Sequence, residues 1–348
     1  MEAEVRDYRP GDEKAVQAMY ERIFERRRSD AEWRWRYREA PAGPAYIQVL
    51  ELDGSLVGHI AHAPMPTWVD GRRLVLGQGG DTMVLPESRG KGGMRLLVET
   101  FLSSPHGFDL RMNFPSEMAR ERFVRYGAGN VLGQLRLWVC RRELSRPLPA
   151  VAQPVARGAL AGFHALTAWP APRVRVEPLP DPGHEVDELA EASAAFARCI
   201  RIRDAAYLRW RWLEQPDAHW DLRAARDRDG RLVGVSVLGL DSGDRGLSGS
   251  IADMLARDSA ALRALLLDGA ATLASRGARS ISCFYLDPRP WARRALVRSG
   301  FLPAHIESHQ FISRSLTPAA GDAPERLDSW YLTRGDTEPW PNTPPPTE

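Results

Sequence analysis

Apolar residues recur along this chain at two spacings, and the changes between them mark out its elements. Residues 13–24 place Val16, Met19, Tyr20 and Ile23 three or four apart, which gathers them on one face of a helix. Residues 45–52 and 56–63 read instead as strands. They flank Asp53-Gly54, a dipeptide suited to a tight hairpin turn. A third strand is expected over 74–85, then a helix over 93–102, a fourth strand over 108–114, a short helix over 117–126 and a final strand.

That order returns further along. Glu32-Trp-Arg-Trp-Arg-Tyr-Arg-Glu-Ala-Pro41 is echoed by Tyr207-Leu-Arg-Trp-Arg-Trp-Leu-Glu-Gln-Pro216, and Asp53-Gly-Ser-Leu-Val-Gly58 by Asp229-Gly-Arg-Leu-Val-Gly234. Asp81-Thr-Met-Val84 has a weaker counterpart in Asp253-Met-Leu255, and Arg125-Tyr-Gly127 in Arg298-Ser-Gly300. Four matches in order, at nearly constant spacing, indicate a duplicated domain. Antiparallel strands followed by a strand–helix–strand crossover give each copy a mixed, mostly antiparallel α/β sheet flanked by helices. The expected organisation is a first copy at 1–145, a linker at 146–182, a second copy at 183–316 and a tail at 317–348. In that tail residues 330–333 read as a last strand, and the final Pro-rich residues are expected to be disordered.

Composition narrows the class. A net charge of +2 over 348 residues gives no general polyanion-binding surface. Cys140, Cys199 and Cys283 lie far apart without metal-ligand spacing, so no metal is expected and the thiols suit a reduced cytoplasm. No apolar run reaches the length of a membrane span, and the start of the chain lacks the apolar core of a signal peptide. A cytoplasmic protein is the expectation. Both Trp-Arg-Trp boxes read as core anchors because they occur in both copies, and Arg26-Arg27-Arg28 reads as a solvated helix end.

The chemistry concentrates at Val84-Leu-Pro-Glu-Ser-Arg-Gly-Lys-Gly-Gly93, where a strand runs through a Gly-rich loop into a helix. Unpaired amides and the positive end of the helix dipole converge there on one point, which suits a phosphate or pyrophosphate. The second copy has Ala256-Arg-Asp-Ser-Ala-Ala261 at the corresponding place, without glycines, and is not expected to bind the same ligand.

Pro86-Glu-Ser-Arg-Gly-Lys-Gly-Gly93 after a strand resembles motif A of the GCN5-related N-acetyltransferase (GNAT) superfamily. The likeness covers most of residues 1–145 and, more weakly, 183–303. It is closest to two-copy members in which one copy keeps the loop. The resemblance implies that the loop amides of Arg89, Gly90, Lys91, Gly92, Gly93 and Met94 hold the coenzyme A pyrophosphate. It also implies that the backbone of Thr82, Met83, Val84 and Leu85 pairs with the pantetheine arm. Met94 departs from the motif, which has Gly or Ala there.

Acyl transfer from a thioester to an amine needs a proton acceptor for the amine, a donor for the oxyanion and a stabilised thiolate. Asp81, just upstream of the coenzyme strand, is the candidate base, with His62 second. The family's usual tyrosine acid falls on Phe123, so Tyr126 one turn later is the candidate acid. Asn113 and Glu117 are candidate substrate contacts. The reading is an acyl-CoA-dependent N-acyltransferase that moves an acetyl or short acyl group to a small polar amine in a ternary complex. Two alternatives share the fold: aminoacyl transfer from charged tRNA, and non-catalytic acyl-CoA binding.

Overall fold

The computed structural model describes residues 3–143, 153–243, 246–304 and 309–338. The chain forms two compact units, and neither is a continuous segment. The first comprises residues up to Gln134 together with His309–Leu327; the second comprises Leu135–Ser308 and the residues from Asp328 onward.

The first unit begins with β1 (Ala3–Asp7), α1 (Glu13–Phe24), α2 (Asp30–Tyr37), β2 (Tyr46–Leu52), β3 (Ser55–Val69) and β4 (Arg72–Val84). It continues with α3 (Gly93–Ser103), β5 (Leu110–Asn113), α4 (Glu117–Arg125) and β6 (Asn130–Gln134). Helix α1 buries Val16, Met19 and Tyr20 against Trp33, Tyr37, Ile47 and Val49. Ser29 caps α2 and Ser116 caps α4, each accepting a backbone N–H of the first turn. At the β2–β3 turn Asp53 and Gly54 both have positive φ, as a two-residue hairpin with the right-handed strand twist requires.

Strand β3 runs beyond the expected limit at residue 63, through Pro64 and Pro66, to a second such turn at Asp70-Gly71. Pairing of β2 with β3 extends only as far as His62, before either proline.

The sheet order in this unit is β1-β2-β3-β4-β5-β15-β6, where β15 (Gln310–Ser315) comes from far along the chain. Only β4 and β5 are parallel, over three pairs from Leu76↔Leu110 to Gln78↔Met112. Beyond Gln78 the two strands splay. Helices α3 and α4 share a small core there, with Val98, Phe123, Ala128 and Ile312.

The second unit takes β7 (Leu137–Arg141) and then α5 (Gln153–Ala168), β8 (Arg175–Pro178), α6 (His184–Ala192), β9 (Cys199–Arg201) and α7 (Ala205–Leu208). Next come β10 (Asp221–Arg226), β11 (Leu232–Gly243), β12 (Gly246–Ala256), α8 (Ser259–Ser275), β13 (Ser280–Leu286), α9 (Ala292–Val297), β14 (Leu302–Pro303) and β16 (Trp330–Thr333). Its order, β8-β10-β11-β12-β13-β7-β14, repeats that of the first unit. The sixth strand in each order is thus supplied from the other half of the sequence: β15 enters the first sheet and β7 the second.

The expected linker at 146–182 contains the α5 helix, where alanines and Leu160 outweigh the flanking prolines. Its residues 146–152, and the final residues expected to be disordered, lie outside the described residues. All three cysteines are buried. Trp33, Trp35, Trp210 and Trp212 are buried, the place expected of the paired boxes. Among the described residues no helix is long and apolar enough to cross a membrane.

Strand β16 occupies the place in the second unit that corresponds to the splay of the first. Strands β12 and β13 pair only from Ser248↔Ser280 to Ser250↔Ser282, and β16 then bonds to β13 through Tyr285↔Thr333 and Leu286↔Leu332. On the β12 side Tyr331 Oη donates to the Met254 carbonyl at 2.7 Å, and Thr333 Oγ1 donates to Asp253 at 2.7 Å.

A chain of residues 1–145 alone lacks β15, leaving β5 and β6 without their shared neighbour. Such a fragment is expected to show no cooperative thermal transition by circular dichroism. A sharp melt would show that β15 is dispensable to the first sheet.

Candidate active site

The splay of β4 from β5 opens onto a cavity of about 730 Å³ in the first unit. One side is the end of β4, with Thr82, Met83 and Val84. The floor is the loop and first turn of α3, including Arg89, Gly90, Gly92, Gly93 and Met94. Helix α4 lends Ser116, Ala119, Arg122 and Tyr126, which recur at helical spacing, and α1 closes the site with Ile23 and Phe24. The loop and strand thus meet Tyr126 at one cavity. Leu85 and Lys91 are not among its lining residues, and the Leu85 N–H is already bonded to the Val57 carbonyl at 2.8 Å.

The loop owes its shape to two glycines in the left-handed region, Gly90 at φ 79° and Gly92 at φ 82°. Gly92 is the N-cap of α3 and carries no side chain to cap the helix, so the first-turn amides stay open to a ligand. The second unit differs at this point. Asp258 caps α8, and its Oδ1 accepts from the Ala260 and Ala261 amides at 2.9 Å each. A carboxylate of the chain itself thus satisfies the amides that the first unit leaves free.

Four arginines, Arg89, Arg95, Arg122 and Arg125, are among the lining residues, and no lining residue among those described is acidic. Arg122 and Arg125 were not singled out from the sequence, although the spacing of Ser116, Ala119 and Arg122 along α4 carried the signal.

The expected catalytic aspartate lies elsewhere. Asp81 is buried, does not line the cavity, and has both carboxylate oxygens engaged. Oδ2 accepts from Arg28 Nη2 at 2.5 Å and from the Tyr37 hydroxyl, and Oδ1 accepts from Arg36 Nη2 at 3.1 Å. Burial would raise its pKa, but the two arginines and the tyrosine prevail and hold it well below the usual carboxylate range. A carboxylate so stabilised as an anion is a poor proton acceptor. Arg28, expected at a solvated helix end, is buried as its counter-ion. Arg203 pairs with Asp253 at 2.9 Å in the second unit, so the duplicated aspartates share duplicated arginine partners.

His62 is buried and stacked on Phe101 at 3.7 Å between ring centroids, with neither ring nitrogen hydrogen-bonded. Asn113 is buried at the end of β5 and Glu117 is exposed at the start of α4; neither they nor His62 line the cavity.

Residues 4–129 match the family model of the acetyltransferase (GNAT) domain. Those residues of the first unit are thus similar to an acetyltransferase domain of the GNAT superfamily, a family that uses acyl-CoA as co-substrate. No curated protein matches the sequence. Among solved structures, a GCN5-related N-acetyltransferase from Anabaena variabilis is 13% identical, with a TM-score of 0.67 over 93% of this chain and 75% of its own. One from Kribbella flavida is 17% identical, with a TM-score of 0.62 over 93% and 74%. The N-myristoyltransferase of Saccharomyces cerevisiae, solved with bound myristoyl-CoA, is 11% identical, with a TM-score of 0.55 over 90% and 80%. At these identities the likeness is one of fold.

Burial of two histidines outside the cavity lining sets a pH response. Desolvation lowers His59 to about 4 and His62 well below the ordinary value. Both are neutral when folded and titrate near 6.5 when unfolded, so their stabilisation is complete above about pH 6.5 and is lost as pH falls toward 4. Urea unfolding at pH 5 should give a stability lower than at pH 7 by roughly 2 kcal/mol per histidine. A His59→Gln/His62→Gln variant should lose that dependence. An equal pH response in both proteins would contradict it.

Proposed function

We propose that the first unit transfers an acetyl or similarly short acyl group from coenzyme A to the amine of a small polar molecule, by direct attack in a ternary complex. The observation that carries this reading is the conjunction at one cavity of a free strand edge and an open helix N-terminus. The edge of β4 beyond Gln78 is unpaired by β5 and presents backbone groups to an extended, amide-bearing arm. The α3 amides beside it suit a diphosphate, and Arg89, Arg95, Arg122 and Arg125 complement the charge of a polyanionic coenzyme.

The residues present therefore fit acyl-CoA, which when bound supplies the activated thioester. The Val84 N–H, on the edge of β4 away from β3, is the backbone donor suited to developing negative charge on an acyl oxygen. The Tyr126 hydroxyl is the lining group of the right chemistry to give a proton to the departing sulfur. Asp81 is not retained as the base, because its carboxylate is consumed by Arg28, Arg36 and Tyr37. The second unit is read as non-binding: Asp258 fills its helix terminus and β16 fills its splay, which leaves one coenzyme site per chain.

Gly92→Val places a β-branched residue at φ 82° and distorts the loop at a cost of about 1–3 kcal/mol. Calorimetric titration with coenzyme A should show affinity lower by roughly 10- to 100-fold, with the fold retained. Wild-type affinity in this variant would remove the loop from the site, and a wild-type stoichiometry of two would contradict the reading of the second unit.

A further inference from the structure

The buried cluster around Asp81 touches two walls of the cavity without lining it. On β4, Asp81 sits where the pairing with β3 slips: His59 faces Met83 and Ala61 faces Gly80, so Ile60 stands opposite both Asp81 and Thr82. This is a β-bulge. Asp81 carries it at φ 47°, a left-handed conformation that glycine takes freely and Asp or Asn tolerates. The bulge is immediately followed by Thr82, Met83 and Val84, the strand residues of the cavity.

Arg28 approaches from the other wall. It follows α1, and its guanidinium lies over the Tyr20 ring at 3.7 Å, one turn before Ile23 and Phe24. From there Nη1 donates to the Tyr37 hydroxyl at 3.2 Å and Nη2 to Asp81 at 2.5 Å. One buried ion pair thus joins the end of α1 to the bulge of β4.

Resting on the reading of the cavity as the acyl-CoA site, we infer that Arg28 and Asp81 are positioning residues. Their ion pair fixes the bulge, and through it the direction in which the amides of Thr82–Val84 face the coenzyme. A bulge alone can relax, because a left-handed aspartate is strained and the strand edge beyond Gln78 has no β5 partner. The clamp opposes that relaxation from the side away from the ligand. Its counterpart in the second unit, Arg203–Asp253, holds a register shift of β12 against β11 beside the β16 strand that fills the splay there. The same pair accompanies a filled splay in one copy and an open one in the other, which ties it to strand geometry rather than to proton transfer.

The test compares Asp81→Asn and Arg28→Lys with the wild type in the full chain. Asparagine accepts the left-handed backbone but removes the charge; lysine keeps a charge but loses the fork that reaches both Tyr37 and Asp81. Two readouts are taken: the dissociation constant for acetyl-CoA, and hydrogen exchange of the Thr82–Val84 amides without ligand. Positioning predicts an affinity weaker by about tenfold or more for Asp81→Asn, a smaller loss for Arg28→Lys, and faster exchange confined to 82–84. Wild-type affinity and exchange in a folded Asp81→Asn protein would overturn it. If that variant does not fold, unchanged affinity and exchange in Arg28→Lys would overturn it equally. A wild-type chain that fails to bind acetyl-CoA would instead refute the proposed function, while the exchange measurement would still decide the clamp.

Discussion

The site depends on how little of β4 is bonded to β5. Three residue pairs join the strands, and then the hydrogen-bonding edge of β4 runs on for six residues with no strand of the sheet beside it. An exposed edge of this kind usually attracts another strand, and proteins normally cover or charge it. Here the edge ends in a helix terminus whose amides are also open, and it faces four arginines. Unsatisfied donors, an unpaired strand and excess positive charge all call for the same kind of occupant, one that is extended, rich in amides and anionic at one end.

The second unit shows the same need met from within. Its β12 and β13 separate after three pairs, and the chain returns β16 to the gap. Its helix terminus receives the Asp258 carboxylate in place of a ligand. The two units therefore solve one problem in two ways, and the difference rests on a few residues: two left-handed glycines on one side, one capping aspartate and one returning strand on the other.

Much of the local structure was legible from the sequence because its causes are local. Helical spacing marked α1, Asp53-Gly54 marked the first hairpin turn, and the glycines marked the loop. Pro64 and Pro66 hid the second hairpin, since their cost depends on whether a neighbouring strand needs an N–H, which a single segment does not reveal. The burial of Arg28 was hidden for the same reason. A third arginine in a row looks solvated until Asp81, 53 residues away, is found to face it. Asp81 was expected to act as a base from its position alone, whereas its carboxylate is engaged by Arg28, Arg36 and Tyr37. A carboxylate beside a coenzyme strand reads as a base only while its own partners are unknown.

The origin of the inserted strands β15 and β7 was beyond any local signal, because nothing in β6 or β15 names the other. It bears on how the protein comes into being. As the chain leaves the ribosome, the first sheet lacks a strand between β5 and β6 until residues 310–315 have been made, so the first unit cannot finish folding before most of the second half has been translated. Through that interval two strand edges are open to wrong partners, including other nascent chains. Two units with the same strand order are in this way bound into a single folding event, and recombination cannot separate them as modules.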